Sequence, residues 1–319
     1  MACFLVTGGA GFLGSHLVHA LLGEGHTVRV LDDLSSGNRK NVPEDVELAE
    51  ADVTDPAAIA SALDGADGCF HLAAIASVER SHREWLRAHQ VNLTGTINVF
   101  NQARPSRRHR EIPVVYASTA AIYGNCGSFP VDEESPVAPL SAYGADKNAC
   151  ELHARVAGAI HGVPTVGLRF FNLYGPRQDQ LSPYSGVISI FADRLLRGEP
   201  IEIFGDGEQA RDFTFISDAV RALCCAMRAA STSGLVFNIC TGKATSVRAL
   251  AQTMAELCRT ELVVRRRPAR CGEVRISIGD PQRAVERLGF TAKTALSDGL
   301  AITLNQLGRK PEVPARVVA

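Results

Sequence analysis

A glycine-rich turn near the start of the chain constrains the fold more than any other feature of the sequence. An apolar run over residues 4–7 leads into Gly8, Gly11 and Gly14, which have the spacing G-x-x-G-x-x-G, and an amphipathic stretch follows. Between a strand and a helix, such glycines allow a tight turn, close approach of a pyrophosphate and close packing of helix on strand. The helix N-terminus also offers free N–H groups and a partial positive charge to phosphate. The turn therefore predicts a dinucleotide site.

Short apolar runs alternate with amphipathic stretches through the first half of the chain. Predicted strands cover residues 4–7, 27–32, 46–50, 68–72, 114–118 and 166–170, and predicted helices cover residues 11–24, 56–63, 87–103 and 145–161. This alternation is typical of an α/β fold, here a Rossmann doubly wound parallel sheet with helices on both faces.

After about residue 172, prolines and glycines divide the chain into shorter elements. Predicted helices cover residues 187–197, 217–229 and 247–258, and predicted strands cover residues 201–204, 236–239 and 262–265. We expect a Rossmann domain over residues 1–168 and a smaller C-terminal α/β domain over residues 169–319, with some of its segments returning to the Rossmann sheet.

Composition excludes several classes of partner. Of the 319 residues, 46% are hydrophobic and 21% charged, and the net charge of −1 argues against a nucleic-acid or membrane surface. The nine cysteines have no paired C-x-x-C spacing, and the nine histidines have no metal-ligand spacing, so we expect reduced cysteines, no metal and a cytoplasmic protein. The N-terminus is expected to be a strand and not a signal peptide, and no apolar run suggests a membrane span.

Acidic residues follow the second and third predicted strands. Asp32 comes about 20 residues after the glycine turn, where an acid can accept hydrogen bonds from the adenosine ribose and would repel a 2′-phosphate. This placement favours NAD over NADP. Alternatively, Asp32 and Asp33 only begin a polar loop. Asp52 and Val53 are weaker candidates for an adenine contact.

A tyrosine and a lysine at i, i+4 begin the predicted helix over residues 145–161. Tyr143 and Lys147 would share one helix face, and a nearby ammonium lowers the pKa of a phenol, so Tyr143 could act as a general base near neutral pH. Ser118 and Thr119 end the fifth strand at the same sheet edge and supply a hydroxyl for the substrate oxygen. Taken alone, the Tyr143/Lys147 pair could also be an ordinary surface pair.

These motifs occur in one order with His71-Leu72-Ala73-Ala74 and Asn92, and together they resemble the extended short-chain dehydrogenase/reductases, specifically the NAD-dependent epimerase/dehydratase family. The resemblance covers nearly the whole chain. It implies catalysis by Thr119, Tyr143 and Lys147, with Lys147 holding the nicotinamide ribose. His71 is interpreted as a packed core histidine. The NAD-binding residues that the resemblance implies are Gly8, Gly11, Phe12, Leu13, Gly14, Asp32, Asp33, Asn38, Asp52, Val53, Leu72, Ala73, Ala74, Asn92, Ser118, Tyr143, Lys147 and Phe170.

The second half resembles the part of this family that binds a nucleotide-linked sugar. Residues 169–179 resemble its substrate loop, and residues 205–213 and 270–275 resemble two segments that bring arginines to the diphosphate. Two guanidinium groups suit a diphosphate because each can make bidentate, charge-assisted bonds. Arg211 and Arg270 could instead form surface ion pairs, and Phe204 could be a core residue. The substrate residues that the resemblance implies are Thr119, Tyr143, Asn172, Gln178, Gly186, Val187, Phe204, Arg211, Arg270, Glu273 and Ser277.

Three positions indicate a branch of the family. Dehydratases carry an Asp-Glu pair where this chain has Ala120-Ala121, which cannot supply the acid and base for elimination. The sequence is therefore most similar to the UDP-hexose 4-epimerases, which interconvert UDP-glucose and UDP-galactose or their N-acetylated counterparts. Ser277 resembles a position where strict UDP-glucose enzymes carry tyrosine, so it leaves room for a 2-acetamido group.

Several alternatives stay open on the sequence alone. The same scaffold serves UDP-glucuronate 4-epimerases, decarboxylases and unusual dehydratases, and a non-catalytic NAD sensor or scaffold would keep the fold as well. In relatives, helices equivalent to residues 87–103 and 145–161 pair two subunits, so we expect a homodimer. The apolar residues of these helices could equally be ordinary packing against the sheet.

Overall fold

A seven-stranded parallel sheet forms the centre of the computed structural model, which describes residues 1–106, 110–178, 186–269 and 274–307. The strands of the described residues are β1 Cys3–Thr7, β2 Thr27–Asp32, β3 Glu47–Glu50, β4 Gly68–His71, β5 Val114–Thr119, β6 Thr165–Phe170, β7 Asn172–Tyr174, β8 Ile201–Phe204, β9 Ala210–Arg211, β10 Phe213–Phe215, β11 Leu235–Ile239, β12 Thr245–Ser246, β13 Val264–Arg267 and β14 Ile276–Ser277. The sheet order is β3-β2-β1-β4-β5-β6-β11. Because the strand order reverses at β1, a crevice opens at the carboxyl ends of the strands there. The predicted Rossmann fold is confirmed.

Helices cover both faces of this sheet. The α-helices are α1 Phe12–Gly23, α2 Pro56–Leu63, α3 Val78–Arg83, α4 Trp85–His89, α5 Gly95–Gln102, α6 Ala142–His161, α7 Val187–Arg197, α8 Ile216–Ala229, α9 Val247–Cys258, α10 Gln282–Leu288 and α11 Leu296–Gln306. Leu17 of α1 and Leu223 of α8 are fully buried against one face. Ile59, Val99 and Cys150, from α2, α5 and α6, are fully buried against the other. No helix among the described residues is long and apolar enough to cross a membrane.

Most predicted elements lie within a few residues of the observed ones, but one helix differs. The helix predicted over residues 87–103 is two helices, α4 and α5, joined by the π-turn Gln90–Thr94. Asn92 lies within this turn, and its fully buried amide accepts a hydrogen bond from Ile75 N (2.8 Å) and donates to Ile75 O (3.2 Å). The turn thus attaches the helix to the loop after β4, a tertiary contact that helical periodicity does not encode. The strand predicted over residues 262–265 lies two residues later, as β13.

The second half of the chain builds a smaller α/β unit with its own core. Fully buried residues from α9 and α11, such as Leu250 and Leu300, pack with Ile201 of the two-stranded parallel sheet formed by β8 and β13. One later strand, β11, returns to the central sheet beside β6. The expected division between residues 168 and 169 falls within β6, and the assignment of two domains stays a proposal.

A buried ion pair connects α6 to the central sheet. Arg169 on β6 donates to Glu151 on α6 through Nε (3.0 Å) and Nη2 (2.7 Å), and both side chains are only 3% exposed. Ser118 Oγ donates to the same carboxylate over 2.5 Å. Arg169 Nη1 donates to the Tyr123 hydroxyl (2.8 Å), which donates to Asn238 Oδ1 on β11 (2.7 Å). This network therefore ties β5, β6, β11 and α6 together.

We expect Glu151→Gln to lower the free energy of unfolding by about 3–5 kcal/mol, because it leaves the buried Arg169 guanidinium without its counter-charge. The matched control is Asp193→Asn, which breaks the exposed Asp193–Arg197 pair on α7 (3.0 Å) and should cost less than about 1 kcal/mol. Urea denaturation of both variants measures the difference. Equal losses would contradict a structural role for the buried pair.

Candidate active site

A cleft of about 1600 Å³ lies at the carboxyl ends of the central strands. A pocket for one drug-sized ligand holds about 300–1000 Å³, so this cleft has room for a dinucleotide and a second ligand. The predicted site residues that line it are Gly8, Gly11, Phe12, Leu13, Gly14, Asp32, Asp33, Asn38, Asp52, Val53, Leu72, Ala73, Ala74, Ser118, Thr119, Tyr143, Lys147, Phe170, Asn172, Gln178 and Gly186. The structure therefore brings most of the predicted residues together.

The glycine turn brings backbone to the floor of this cleft. Gly8 has a φ of 70°, and a Cβ there would lie 2.7 Å from the backbone nitrogen of Ala73. A Cβ on Gly14 would lie 2.1 Å from the carbonyl oxygen of Gly8, so only glycine allows α1 this close to β1. The N-cap of α1, Gly11, has no side-chain hydrogen bond, which leaves N–H groups of the first turn for a phosphate. These features fit the diphosphate of a dinucleotide.

Asp32 closes the ribose end of the cleft. Its carboxylate accepts hydrogen bonds from Ala10 N and Leu34 N, both at 2.9 Å, which hold it at the end of β2. Burial raises the pKa of Asp32, and the two N–H groups act in the opposite direction. Each carboxylate oxygen has a further lone pair that can accept from a ribose hydroxyl.

A cation near this end of the cleft is already neutralised. Arg87 forms ion pairs with Asp52 and, at 3.8 Å, with Asp33. Hydrogen bonds from Arg87 and Thr54 outweigh burial and lower the pKa of Asp52. Because these acids hold the guanidinium, the surroundings suit ribose hydroxyls better than a 2′-phosphate. The residues present therefore fit NAD.

Two residues of the predicted motifs are buried next to the loop after β4 and do not line the cleft. His71 is 1% exposed and lies between the hydroxyls of Thr7 (2.8 Å) and Thr96 (2.9 Å), which confirms a packed core histidine. Asn92, expected to bind the cofactor, does not line the cleft, because its amide is used by Ile75 as described above. It holds the loop after β4 in place.

The expected catalytic residues converge where β5 ends and α6 begins. Ser141 caps α6 by accepting from Gly144 N (3.0 Å), so the helix starts at Ala142 and includes both Tyr143 and Lys147. Thr119 Oγ1 accepts from Ala121 N (3.1 Å), and the Thr119 hydroxyl is hydrogen-bonded to the Tyr143 phenol. A phenol, a hydroxyl and an ammonium group thus line the same part of the cleft.

Among the protein's own groups, the structure shows no lowering of the Tyr143 pKa by Lys147. Burial raises the pKa of Tyr143 to about 12, and the hydrogen bond from Thr119 only partly opposes this. Burial also lowers the pKa of Lys147, which is 1% exposed. Desolvation disfavours the charged form of both groups and is the largest influence on the pKa of each.

The predicted sugar and diphosphate residues divide into two groups. Asn172, Gln178 and Gly186 line the cleft, and Gln178 accepts a hydrogen bond from Ser189 (3.2 Å). Arg211 and Ser277 are partners in the β9–β14 pair, Phe204 lies in β8 and Val187 begins α7, and none of these four lines the cleft. Arg270 and Glu273 lie outside the described residues.

Several charged and polar residues of the cleft were not among the predicted site residues. They include Arg80, Arg83, Arg87, Arg177 and Gln306. Their sequence signal is weak because an isolated arginine is usually a solvated surface residue. Gln306 is in the last turn of α11, far along the chain from the motifs, and only tertiary folding brings it to the cleft.

Comparison with known proteins decides the family. The model of the NAD dependent epimerase/dehydratase family matches residues 4–240. The chain belongs to this family. A UDP-glucose 4-epimerase of Mycolicibacterium smegmatis is 36% identical over 317 residues, which cover 97% of this chain and 99% of the relative. The protein is thus an epimerase with NAD as its cofactor.

Solved structures agree with this assignment. The UDP-glucose 4-epimerase of Thermotoga maritima, solved with UDP-glucose, has 37% identity and a TM-score of 0.89, with 96% of this chain and 98% of that chain covered. The UDP-N-acetylglucosamine 4-epimerase of Methanobrevibacter ruminantium, in complex with UDP-N-acetylmuramic acid, has 32% identity and a TM-score of 0.90, with the same coverage. The predicted family, fold and cofactor are confirmed.

We expect Gly14→Ala to reduce NAD affinity at least about tenfold, because the new Cβ would force the Gly8 carbonyl, and with it the glycine turn, to move. Gly23→Ala, at the other end of α1, is the control. A Cβ there meets nothing within 4 Å, so its NAD affinity should be unchanged and its helix slightly more stable. Calorimetric titration of the two stripped proteins with NAD measures the effect. Normal NAD affinity in Gly14→Ala would contradict this account of the turn.

Proposed function

We propose that this epimerase inverts C4 of a UDP-sugar through a 4-keto intermediate. The observation that carries the proposal is the convergence of Thr119, Tyr143 and Lys147 on one wall of a cleft that fits NAD and has room for a second ligand. Ala120 and Ala121 follow the catalytic strand, so these positions have no acid or base for eliminating water. Inversion at C4 does not eliminate water, so it needs no acid or base at these two positions.

Each of the three residues has a defined role in the proposed reaction. Tyr143, as phenolate, removes the proton from the sugar 4-hydroxyl and later returns it to the same oxygen on the inverted carbon. Thr119 donates a hydrogen bond to that oxygen or to the phenolate, and Lys147 binds the nicotinamide ribose and stabilises the phenolate. When bound, NAD would supply the acceptor for the hydride from C4 and the donor for its return to the opposite face of the keto sugar. The sugar must turn between the two transfers while its nucleotide stays bound.

The elevated pKa of Tyr143 gives this proposal a pH signature. Thr119→Val removes the hydrogen bond that lowers the pKa of Tyr143, so less phenolate should be present at neutral pH. We expect kcat/KM at pH 7 to fall about tenfold to a hundredfold, and its rise with alkaline pH to shift to higher pH. Thr119→Ser keeps the hydroxyl and should retain the wild-type profile. A Thr119→Val profile that superimposes on the wild-type one would contradict the role of Thr119.

We propose UDP-N-acetylglucosamine and UDP-glucose as substrates, with their 4-epimers as products. Ser277 supports the N-acetylated sugar because its small side chain leaves space that a tyrosine would fill. Ser277 lies next to Arg211 across the β9–β14 pair, and its carbonyl accepts from Asp212 N (2.9 Å). Asp212 O in turn accepts from the backbone N–H of the cleft residue Asn172 (3.0 Å). Two backbone hydrogen bonds thus connect Ser277, through Asp212, to the cleft residue Asn172.

The direct experiment is to incubate the purified protein with each sugar nucleotide, without added NAD, and to resolve products by NMR. Both should yield the 4-epimer, because the cofactor is regenerated in every cycle. Ser277→Tyr should lower the rate with UDP-N-acetylglucosamine about tenfold to a hundredfold relative to UDP-glucose, because the longer side chain would extend from β14 toward the cleft and take the space of the acetamido group. Ser277→Ala, the control, should convert both sugar nucleotides. If NAD is bound and neither sugar is converted, the substrate proposal is wrong, and UDP-glucuronate is the next candidate.

We also propose that the protein is a homodimer assembled through α6 and its neighbour α4. Leu152, Val156 and Ile160 recur at i, i+4, i+8 on α6 and are exposed, as are Trp85 and Leu86 on α4. An apolar stripe of this kind is unfavourable in water and suits an isologous contact between two copies of the same helix. The cytoplasmic location expected from the sequence stays a prediction.

A further inference from the structure

Arg177 lies at the junction of three parts of the chain. It follows β7 and lines the cleft together with Phe12 and Leu13 of α1. Its backbone N–H donates to Gln306 Oε1 of α11 over 2.9 Å. The neighbouring Pro176 carbonyl is hydrogen-bonded to His16 Nε2 of α1 over 2.8 Å. The segment that carries Arg177 is therefore attached to the helix whose N-terminus begins at the glycine turn.

The backbone of Arg177 has an unusual conformation. Its φ is 64°, in the left-handed region that residues with a side chain rarely adopt, and the structure keeps an arginine there although glycine would be unstrained. The hydrogen bonds to Gln306 and His16 hold this conformation in place. Such an outlier, when it is fixed by its surroundings, is often found where a side chain must be presented to a ligand.

The guanidinium of Arg177 has a buried nitrogen that needs an acceptor. Nη1 is buried and has no hydrogen-bond partner among the described residues. The neighbouring imidazoles of His16 and His19 have lowered pKa values, through burial first and then through Arg177, so near neutral pH they supply no counter-charge. Burial lowers the pKa of Arg177 itself. A partly buried guanidinium with an unpartnered buried donor, and without a counter-charge among the described residues, favours the entry of an anion into the cleft.

We propose that Arg177 is a binding residue for the diphosphate of bound NAD, closing over it from the side opposite the glycine turn. The inference rests on the NAD site described above. The cofactor's diphosphate is favoured over that of the sugar nucleotide because Arg177 lies along α1, whose first turn offers N–H groups to that phosphate. A guanidinium can bind two phosphate oxygens at once, which suits a diphosphate.

This contact would link cofactor retention to the second half of the chain. The glycine turn supplies one side of the diphosphate site, and Arg177, held by Gln306 of α11, supplies the other. NAD could then dissociate only when the Arg177 segment separates from α1. An epimerase that regenerates its cofactor in every cycle gains from such slow release, whereas a dehydrogenase that exchanges NAD with solvent would not.

The test compares Arg177→Gln with Arg80→Gln, a matched control that removes another arginine of the same cleft. Arg80 is paired with Glu84 through two 3.0 Å contacts, so it has no need of a ligand anion. NAD content is measured after purification, the dissociation rate by release into an excess of a scavenging NAD-binding enzyme, and the affinities for NAD and UDP by calorimetry. Melting temperatures verify that each variant is folded.

We expect Arg177→Gln to release NAD about tenfold to a hundredfold faster than the wild type, as for the loss of a hydrogen bond to a charged group, while its affinity for UDP is unchanged. Arg177→Lys keeps the charge but not the bidentate geometry, so its rate of NAD release should lie between those of the wild type and Arg177→Gln. Arg80→Gln should change NAD release by less than about threefold, because only the removal of Arg177 deprives the diphosphate of a partner.

Four outcomes would overturn the proposal. Wild-type NAD release in Arg177→Gln would show that the arginine does not bind the cofactor, and equal acceleration in Arg80→Gln would show only a general effect of cleft charge. Weaker UDP binding with unchanged NAD release would assign Arg177 to the substrate diphosphate. Selective loss of UDP-glucuronate binding, with UDP-glucose unaffected, would assign it to a sugar carboxylate. A wild-type protein that neither contains nor rebinds NAD would contradict the cofactor site itself, a separate result.

Discussion

The paired charges of Glu151 and Arg169 are the interaction on which the arrangement of the active site depends. Two fully desolvated charges are tolerated only when geometry and further hydrogen bonds compensate for lost hydration. Here the Glu151 carboxylate accepts from Ser118 as well as from both arms of Arg169, and Arg169 Nη1 donates to Tyr123 and to the Glu133 carbonyl (3.1 Å). The pair is therefore a connected node and not an isolated salt bridge.

This node determines where the reactive groups lie. Ser118 precedes Thr119 at the end of β5, so anchoring its hydroxyl to Glu151 fixes the strand end that presents Thr119. Glu151 is one helical turn after Lys147 and two after Tyr143 on α6, so the same carboxylate fixes the rotation of that helix. The Glu151 carboxylate thus fixes the position of α6 relative to β5. This explains how the Tyr143 phenol and the Thr119 hydroxyl, from distant segments, share a hydrogen bond.

The charges around the cleft are unevenly distributed, in a way that suits the dinucleotide. Asp32, Asp33 and Asp52 surround the end where ribose hydroxyls need acceptors. The N–H groups at the start of α1, and the Arg177 guanidinium on the opposite side of the cleft, are the donors that we propose for the diphosphate. Burial disfavours the ionised forms of Tyr143 and Lys147. Ionisation of Tyr143 near neutral pH would therefore need stabilisation beyond the hydrogen bond from Thr119, which the positive nicotinamide ring of bound NAD would supply.

The sequence by itself determined the sheet, the glycine turn, the acid after β2 and the order of the catalytic motif, because these follow from periodicity and spacing over short stretches. Only the tertiary structure decided the π-turn at Asn92, the raised pKa of Tyr143 and the positions of Arg177 and Gln306 in the cleft. Each of these depends on groups distant in sequence: Asn92 binds Ile75, and the Arg177 segment contacts α1 and α11. Desolvation and buried hydrogen bonding are properties of the packed surroundings, and no local pattern of residues encodes them.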